Sequence, residues 1–132
     1  MYTHAFSGFS VDDTERARDF YTRVLDLEVT DAGMQGIITL HLPGGSEVIV
    51  YPKGEAHTPA SFTVLNLVVP DIDAGVAELA RRGVAFERYE GTEMETDTTG
   101  VFRRGGPPIA WFTDPAGNVF SLIQDDAGSR TE

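Results

Sequence analysis

Apolar and polar positions along the chain change period in a recognisable order. In "HAFSGFSV", Phe9 and Val11 alternate with small or polar residues, the pattern of a half-buried strand, and this predicts a strand from about Thr3 to Val11. "DDTERARDFYTRVLDL" then sets Ala17, Phe20, Tyr21, Val24 and Leu25 at helical spacing. Asp13 or Thr14 is the expected N-cap, and Glu15 suits the positive helix start. Three short runs rich in β-branched residues follow, "LEVTD", "GIITLHL" and "SEVIVYP", with "PGG" at 43–45 as a hairpin turn. The first half therefore reads βαβββ.

The second half repeats the order. "SFTVLNLVVP" predicts a strand, "DIDAGVAELARRG" a helix closed by Gly83, and "VAFERYE", "PPIAWFT" and "NVFSLIQ" three further strands. Val11-Asp12-Asp13 before the first helix corresponds to Val69-Pro70-Asp71 before the second, and such an internal repeat decides fold class ahead of any motif. The expectation is one α+β domain over 1–132, with module one at about 3–53 and module two at about 61–124. An insertion, "EGTEMETDTTGVFRRGGPP" at 90–108, is either a loop over an opening or a solvated connection. The tail "DDAGSRTE" is expected to fray.

Composition narrows the function. With 132 residues, 41% hydrophobic and 23% charged, the chain is of ordinary globular type and long enough to bury a core. No apolar run reaches the ~20 residues that span a bilayer, and the start lacks a signal-peptide pattern, so a cytoplasmic protein is expected. The absence of cysteine excludes disulfides, thiolate nucleophiles and sulfur-ligated zinc. A net charge of −11 argues against nucleic acid, which is bound through cationic side chains, and suits a neutral or cationic partner as well as plain solubility.

The two βαβββ modules, "VDDTERARDFYTRVLDLEV" in the first and "FTDPAGNVFSLIQ" closing the second, resemble the vicinal oxygen chelate superfamily, which holds glyoxalase I, extradiol dioxygenases, fosfomycin-resistance enzymes and bleomycin-resistance proteins. The resemblance spans roughly residues 3–124. It implies the glyoxalase/bleomycin-resistance-like fold, in which each module curls a mixed sheet around a concave cavity. It also implies a homodimer. In the metalloenzymes of that superfamily the first and last strand of each module supply a ligand, typically His, Glu, His and Glu. Carried onto this chain, those positions fall on Phe6, Ile49, Val64 and Ser121. Three are apolar and the fourth is a neutral hydroxyl, so no metal and no cofactor is expected.

Strand alternation places Ser10, Asn66, Val68, Val119 and Ile123 on the face of those four positions, and Phe9, Leu65, Leu67, Phe120 and Leu122 under the helices. The candidate ligand-binding residues are Phe6, Ser10, Ile49, Val64, Asn66, Trp111 and Ser121, an apolar lining with a few polar handles. Trp111 is either core or pocket wall. Asn66 needs a partner, which could be Ser10, Ser121, water or a ligand. Asp114 reads as the turn former of "DPAGN" and not as a catalytic acid. His4, His41 and His57 match no metal motif and read as surface or edge histidines. No histidine pairing for Ser121 can be inferred, so no catalytic residue is assigned.

Two function classes follow. The first is a metal-free protein binding a small organic molecule, such as an antibiotic or another cationic or aromatic compound. The alternative is a lyase, isomerase or dioxygenase of the glyoxalase type, whose mechanism needs the missing ligands. A bare interaction module with a vestigial cavity is a third possibility.

Overall fold

A computed structural model describes residues 1–125; the tail at 126–132 lies outside the described residues. The fold consists of two open sheets of four and three strands with few helices, and the chain forms two compact units. Unit 1 comprises 1–60 and 114–118, and unit 2 comprises 61–113 and the segment from Val119 onward.

In unit 1, β1 (Ser7–Val11) runs parallel to β4 (Glu47–Pro52), which pairs antiparallel with β3 (Ile38–His41) and through it with β2 (Glu28–Asp31). β1 begins later than its sequence pattern predicts. Pairing opens at Ser7 with Val48, and β4 starts only one residue earlier, so residues 3–6 have no ladder to join and are exposed. The helix α1 (Thr14–Asp19) is capped by Asp13, whose carboxylate accepts the amides of Glu15 and Arg16. Beyond it the predicted helix continues as a π-type turn, Phe20–Val24, closed by the Leu25 amide on the Phe20 carbonyl. The Thr22 hydroxyl donates to the Arg18 carbonyl, and local bonds of this kind open an α-helical turn. The widened turn directs Tyr21 fully into the core, edge-on to Phe9. Val11, Ile38, Leu40, Val48 and Val50 complete that buried face.

In unit 2, β5 (Thr63–Val69) runs parallel to β7 (Val119–Gln124), which pairs antiparallel with β6 (Ile109–Thr113). The helix α2 (Ile72–Arg81) is capped by Asp71 and ends at Gly83, whose φ of +98° is readily adopted only by glycine. Its apolar stripe of Ile72, Val76 and Leu79 lies on the sheet. Gly75 permits the close approach, since a Cβ there would stand 3.2 Å from the Leu122 side chain. Phe112 and Phe120 are fully buried and Leu65 and Leu122 nearly so, whereas Leu67 is only half-buried.

The strand predicted over "VAFERYE" does not form. Only the Glu87 amide reaches the β6 edge, donating to the Trp111 carbonyl at 2.8 Å. The carbonyls of Glu87 and Arg88 instead accept the Thr96 hydroxyl, and Arg88 also accepts the Thr96 amide, so the segment closes on itself. The strand order β5-β7-β6 nevertheless follows β1-β4-β3, with this segment standing where β2 stands in the first unit.

Candidate functional site

Each sheet has one face under its helix and one without a helix, and of the candidate residues Ser10, Ile49, Asn66, Trp111 and Ser121 lie on strand positions of the latter. In unit 2, Asn66, Ser121 and Trp111 are register partners across β5, β7 and β6 and form one row. Ser121 is fully buried, and its hydroxyl donates to Asn66 Oδ1 at 2.6 Å. Asn66 itself is exposed, and Ser121 satisfies its carbonyl oxygen. Val64 sits in a β-bulge, where the register shifts between Thr63 and Leu65; bulges re-aim side chains at the rim of a site. The neighbouring row, Val68, Ile123 and Ile109, is apolar, and Val68 is 60% exposed.

Trp111 is buried because two rings cover it. Tyr89 meets it edge-on at 5.4 Å between centroids, and Phe102 lies at 5.9 Å with Arg104 stacked over its outer side. Phe102 belongs to the 90–108 insertion and bridges Ile109, so the insertion lies against the β6 end of this face. Tyr89 adopts a left-handed φ of +49°, rare for an aromatic residue. Burial, with the negative charge of Glu87, raises the Tyr89 hydroxyl above the usual phenol range.

In unit 1, Ser10 and Ile49 share the helix-free face with Gly8, which is the register partner of Ile49, whereas Phe6 lies ahead of the ladder. Phe6 precedes the strand and is 63% exposed. Ser10 is half-buried and bonded through both its hydroxyl and its carbonyl. Its hydroxyl meets His57 Nδ1 at 2.8 Å, His57 Nε2 lies 2.9 Å from the Ala116 carbonyl, and the Asn118 side-chain amide donates to the Ser10 carbonyl at 2.9 Å. His57 is thus an internal partner, in contrast to the surface or edge role its spacing suggests.

These contacts rest on a buried carboxylate. Asp114 Oδ1 accepts the amides of Ala116 and Asn118, which forms the turn, and Oδ2 accepts the Tyr21 hydroxyl at 2.6 Å. Asn118 Oδ1 accepts the Ala60 amide and fixes the loop that carries His57. Burial, followed by the charge of Asp114 and its hydrogen bond, raises the Tyr21 hydroxyl far above the ordinary phenol range.

A metal ion does not suit the residues present. Phe6, Ile49 and Val64 have no donor atom, and the single hydroxyl, that of Ser121, already donates to Asn66. Among the described residues no three His, Asp or Glu side chains are grouped to hold an ion. No helix among them is long and apolar enough to cross a membrane.

The family model of the Glyoxalase/Bleomycin resistance protein/Dioxygenase superfamily matches residues 3–122. No curated protein matches the chain at a significant level. Among solved structures, the chain is similar to TnmS3, an antibiotic binding protein from Streptomyces sp. CB03234. Identity is 26%, the match covers 94% of this chain and 98% of the other, and the TM-score is 0.64. A glyoxalase/bleomycin resistance protein from the same organism shares 28% identity over 91% and 100% of the two chains, with a TM-score of 0.60. The fosfomycin resistance protein FosX from Listeria monocytogenes shares the fold at 11% identity, with a TM-score of 0.66 over 95% and 94%. With two βαβ-type units, an Asp-capped helix after the first strand of each and a family match over nearly its whole length, this chain belongs to the Glyoxalase/Bleomycin resistance protein/Dioxygenase superfamily.

Proposed function

We propose that this protein is a metal-free, cytoplasmic binding protein that sequesters a small aromatic or cationic organic molecule, acting as a homodimer. The observation that carries the reading is the row Asn66, Ser121, Trp111. Where metalloenzymes of the resembling superfamily place a carboxylate, Ser121 has its hydroxyl committed to Asn66, and the same row ends in an aromatic cluster of Trp111, Tyr89 and Phe102. Aromatic side chains with few polar groups are the usual lining for planar organic ligands. Phe6, Ser10, Ile49 and Val64 are the remaining ligand contacts in this reading. The net charge of −11 favours a cationic ligand by long-range attraction and disfavours nucleic acid and anionic membrane surfaces. The similarity to an antibiotic binding protein supports the same class.

The test is a thermal-shift and calorimetric screen of aromatic and cationic antibiotics, bleomycin among them, with and without a chelator. One compound class should raise the melting temperature saturably, through a stabilisation of about 2.7 kcal/mol at a hundred times its Kd, and the chelator should change nothing. A protein carrying one divalent ion per chain, whose removal abolishes the response, would overturn the reading in favour of a glyoxalase-type lyase, isomerase or dioxygenase.

A further inference from the structure

We propose that Ser10 and His57 form a nucleophile and base pair able to accept an acyl group from a small carboxylic ester. This goes beyond ligand sequestration and does not depend on it. The argument begins at the far side of the imidazole. The Ala116 carbonyl can only accept, so the His57 Nε2 at 2.9 Å carries the hydrogen. In the neutral ring that leaves Nδ1 with its lone pair, 2.8 Å from Ser10 Oγ, and the serine hydroxyl donates to it. The arrangement is nucleophile, base and a third group orienting the base, which is the geometric signature of an activated hydroxyl.

The pair is held from both ends. Ala116 sits in the turn that Asp114 ties through two amides, and Asp114 is anchored by the Tyr21 hydroxyl. The Ser10 backbone is fixed by the Asn118 amide. Both supports, the Ala116 turn and the Asn118 side chain, are held by the same buried Asp114 carboxylate, so nucleophile and base share one fixed frame. Ser10 also lies on the face of β1 opposite Phe9 and Val11, with Gly8 next to it on that face, so no bulky β1 neighbour crowds the hydroxyl.

In the step proposed, Ser10 Oγ bonds to the ester carbonyl carbon as its proton passes to His57 Nδ1. The resulting imidazolium keeps its Nε2 hydrogen on the Ala116 carbonyl. The bond from the carbonyl carbon to the alcohol oxygen breaks, and the departing oxygen takes the proton from Nδ1. Water, deprotonated by the same nitrogen, then cleaves the acyl-serine to the carboxylic acid and restores the hydroxyl.

The experiment incubates the intact protein with p-nitrophenyl acetate, follows nitrophenolate release, and maps the acetyl group by peptide mass spectrometry. The expected result is acetyl on Ser10, a release rate lost in Ser10→Ala, and a fall of about 10²- to 10⁴-fold in His57→Gln, the range for removal of a general base. Circular dichroism of both variants establishes that they fold. Acetyl found only on other side chains, or a Ser10 acylation rate unchanged in folded His57→Gln, would overturn the proposal. Should His57→Gln fail to fold, the unmodified protein decides: absence of acetyl-Ser10 at saturating ester, together with a nitrophenolate release rate no faster than that of Ser10→Ala, refutes the pair. Loss of the acyl signal with ligand binding intact would refute this inference alone.

Discussion

Replacing Tyr21 by phenylalanine tests whether a single hydroxyl fastens the turn on which the Ser10 and His57 contacts depend. The change removes one oxygen and leaves the ring, so the packing of Phe9 against it is conserved and no cavity larger than a hydroxyl forms. What is lost is the 2.6 Å bond to Asp114 Oδ2, after which that oxygen retains the Asn118 side-chain amide at 3.3 Å. Hydrogen bonds to a charged group contribute about 1.5–3 kcal/mol, and the buried carboxylate cannot turn to water for compensation, so a loss of about 2 kcal/mol is expected. Unfolding entropy of about 2.1 cal/mol/K per residue converts this to a fall in Tm of about 7 °C for a chain of 132 residues. In an Asp114→Asn background the same substitution should cost less than half as much, because the partner charge is gone. Urea melts of the four proteins measure the cycle. A cost for Tyr21→Phe below about 0.5 kcal/mol, or one equal in both backgrounds, would refute the reasoning.

The same hydroxyl carries a pH signature. Burial and the Asp114 charge hold the native Tyr21 proton on far above the value near 10 of an unfolded tyrosine. A folded pKa above the unfolded one gives stability that is complete below pH 10 and declines above it, by about 1.4 kcal/mol per pH unit for one such group. The phenylalanine variant should therefore lose stability less steeply between pH 10 and 11.5.

Three further outcomes follow from the structure. If Phe102 brings the 90–108 insertion over a bound ligand, the amides there should gain protection from hydrogen exchange on saturation, and unchanged exchange would make it a plain connector. Light scattering at micromolar concentration should give the mass of a dimer, since each sheet leaves an edge strand, β2 in one and β5 in the other, without a second strand partner in its own sheet; a monomer would refute it. For Asp97, burial opposes its charge but the Thr99 hydroxyl, the Val101 amide and Arg103 hold the carboxyl below its ordinary range. Its contribution is therefore present above pH 4 and lost as pH falls, so Asp97→Asn should destabilise at neutral pH and progressively less in acid, as read by urea melts.

Local signals made the fold legible and left part of the site unreadable. Asp13 or Thr14 before an apolar helical period predicts the first N-cap, which is Asp13, and the alternation in "SFTVLNLVVP" and "NVFSLIQ" places Leu65, Phe120 and Leu122 on the buried face. The turn role of Asp114 follows from the sequence "DPAGN" alone. "VAFERYE" fails because its β-branched and aromatic content is only a propensity, and the Thr96 hydroxyl takes the carbonyls a neighbouring strand would have used. The π-type turn depends on where the Thr22 hydroxyl bonds, which periodicity does not encode. The role of His57 is not legible in the sequence because spacing compares near neighbours, whereas its partners Ser10 and Ala116 lie 47 and 59 positions away. A signal for Tyr89 and Phe102 did exist: two aromatic residues in or beside an otherwise polar insertion.

In the proposed metal-free reading, the residues at the four ligand positions leave the fold with no need of an ion. A buried Glu or His set demands a metal or protons, because unpaired carboxylates lose several kcal/mol when desolvated. Here the fully buried position holds Ser121, whose single proton is satisfied by Asn66, while Phe6, Ile49 and Val64 make no electrostatic demand at all. The two sheets are stabilised instead by their opposite faces, with Phe9, Val48 and Val50 in one unit and Phe112, Phe120 and Leu122 in the other. Because strand alternation separates these faces residue by residue, the chemistry of one can change while the packing of the other is untouched. The prediction from this separation is that Ser121→Ala should cost little, about 1 kcal/mol for one hydrogen bond, whereas Phe120→Ala, one residue away, should cost about 3–5 kcal/mol and abolish cooperative melting. Equal losses from the two substitutions would mean that the site face also carries the fold, and that the metal-free lining is structural and not a surface left open to a ligand.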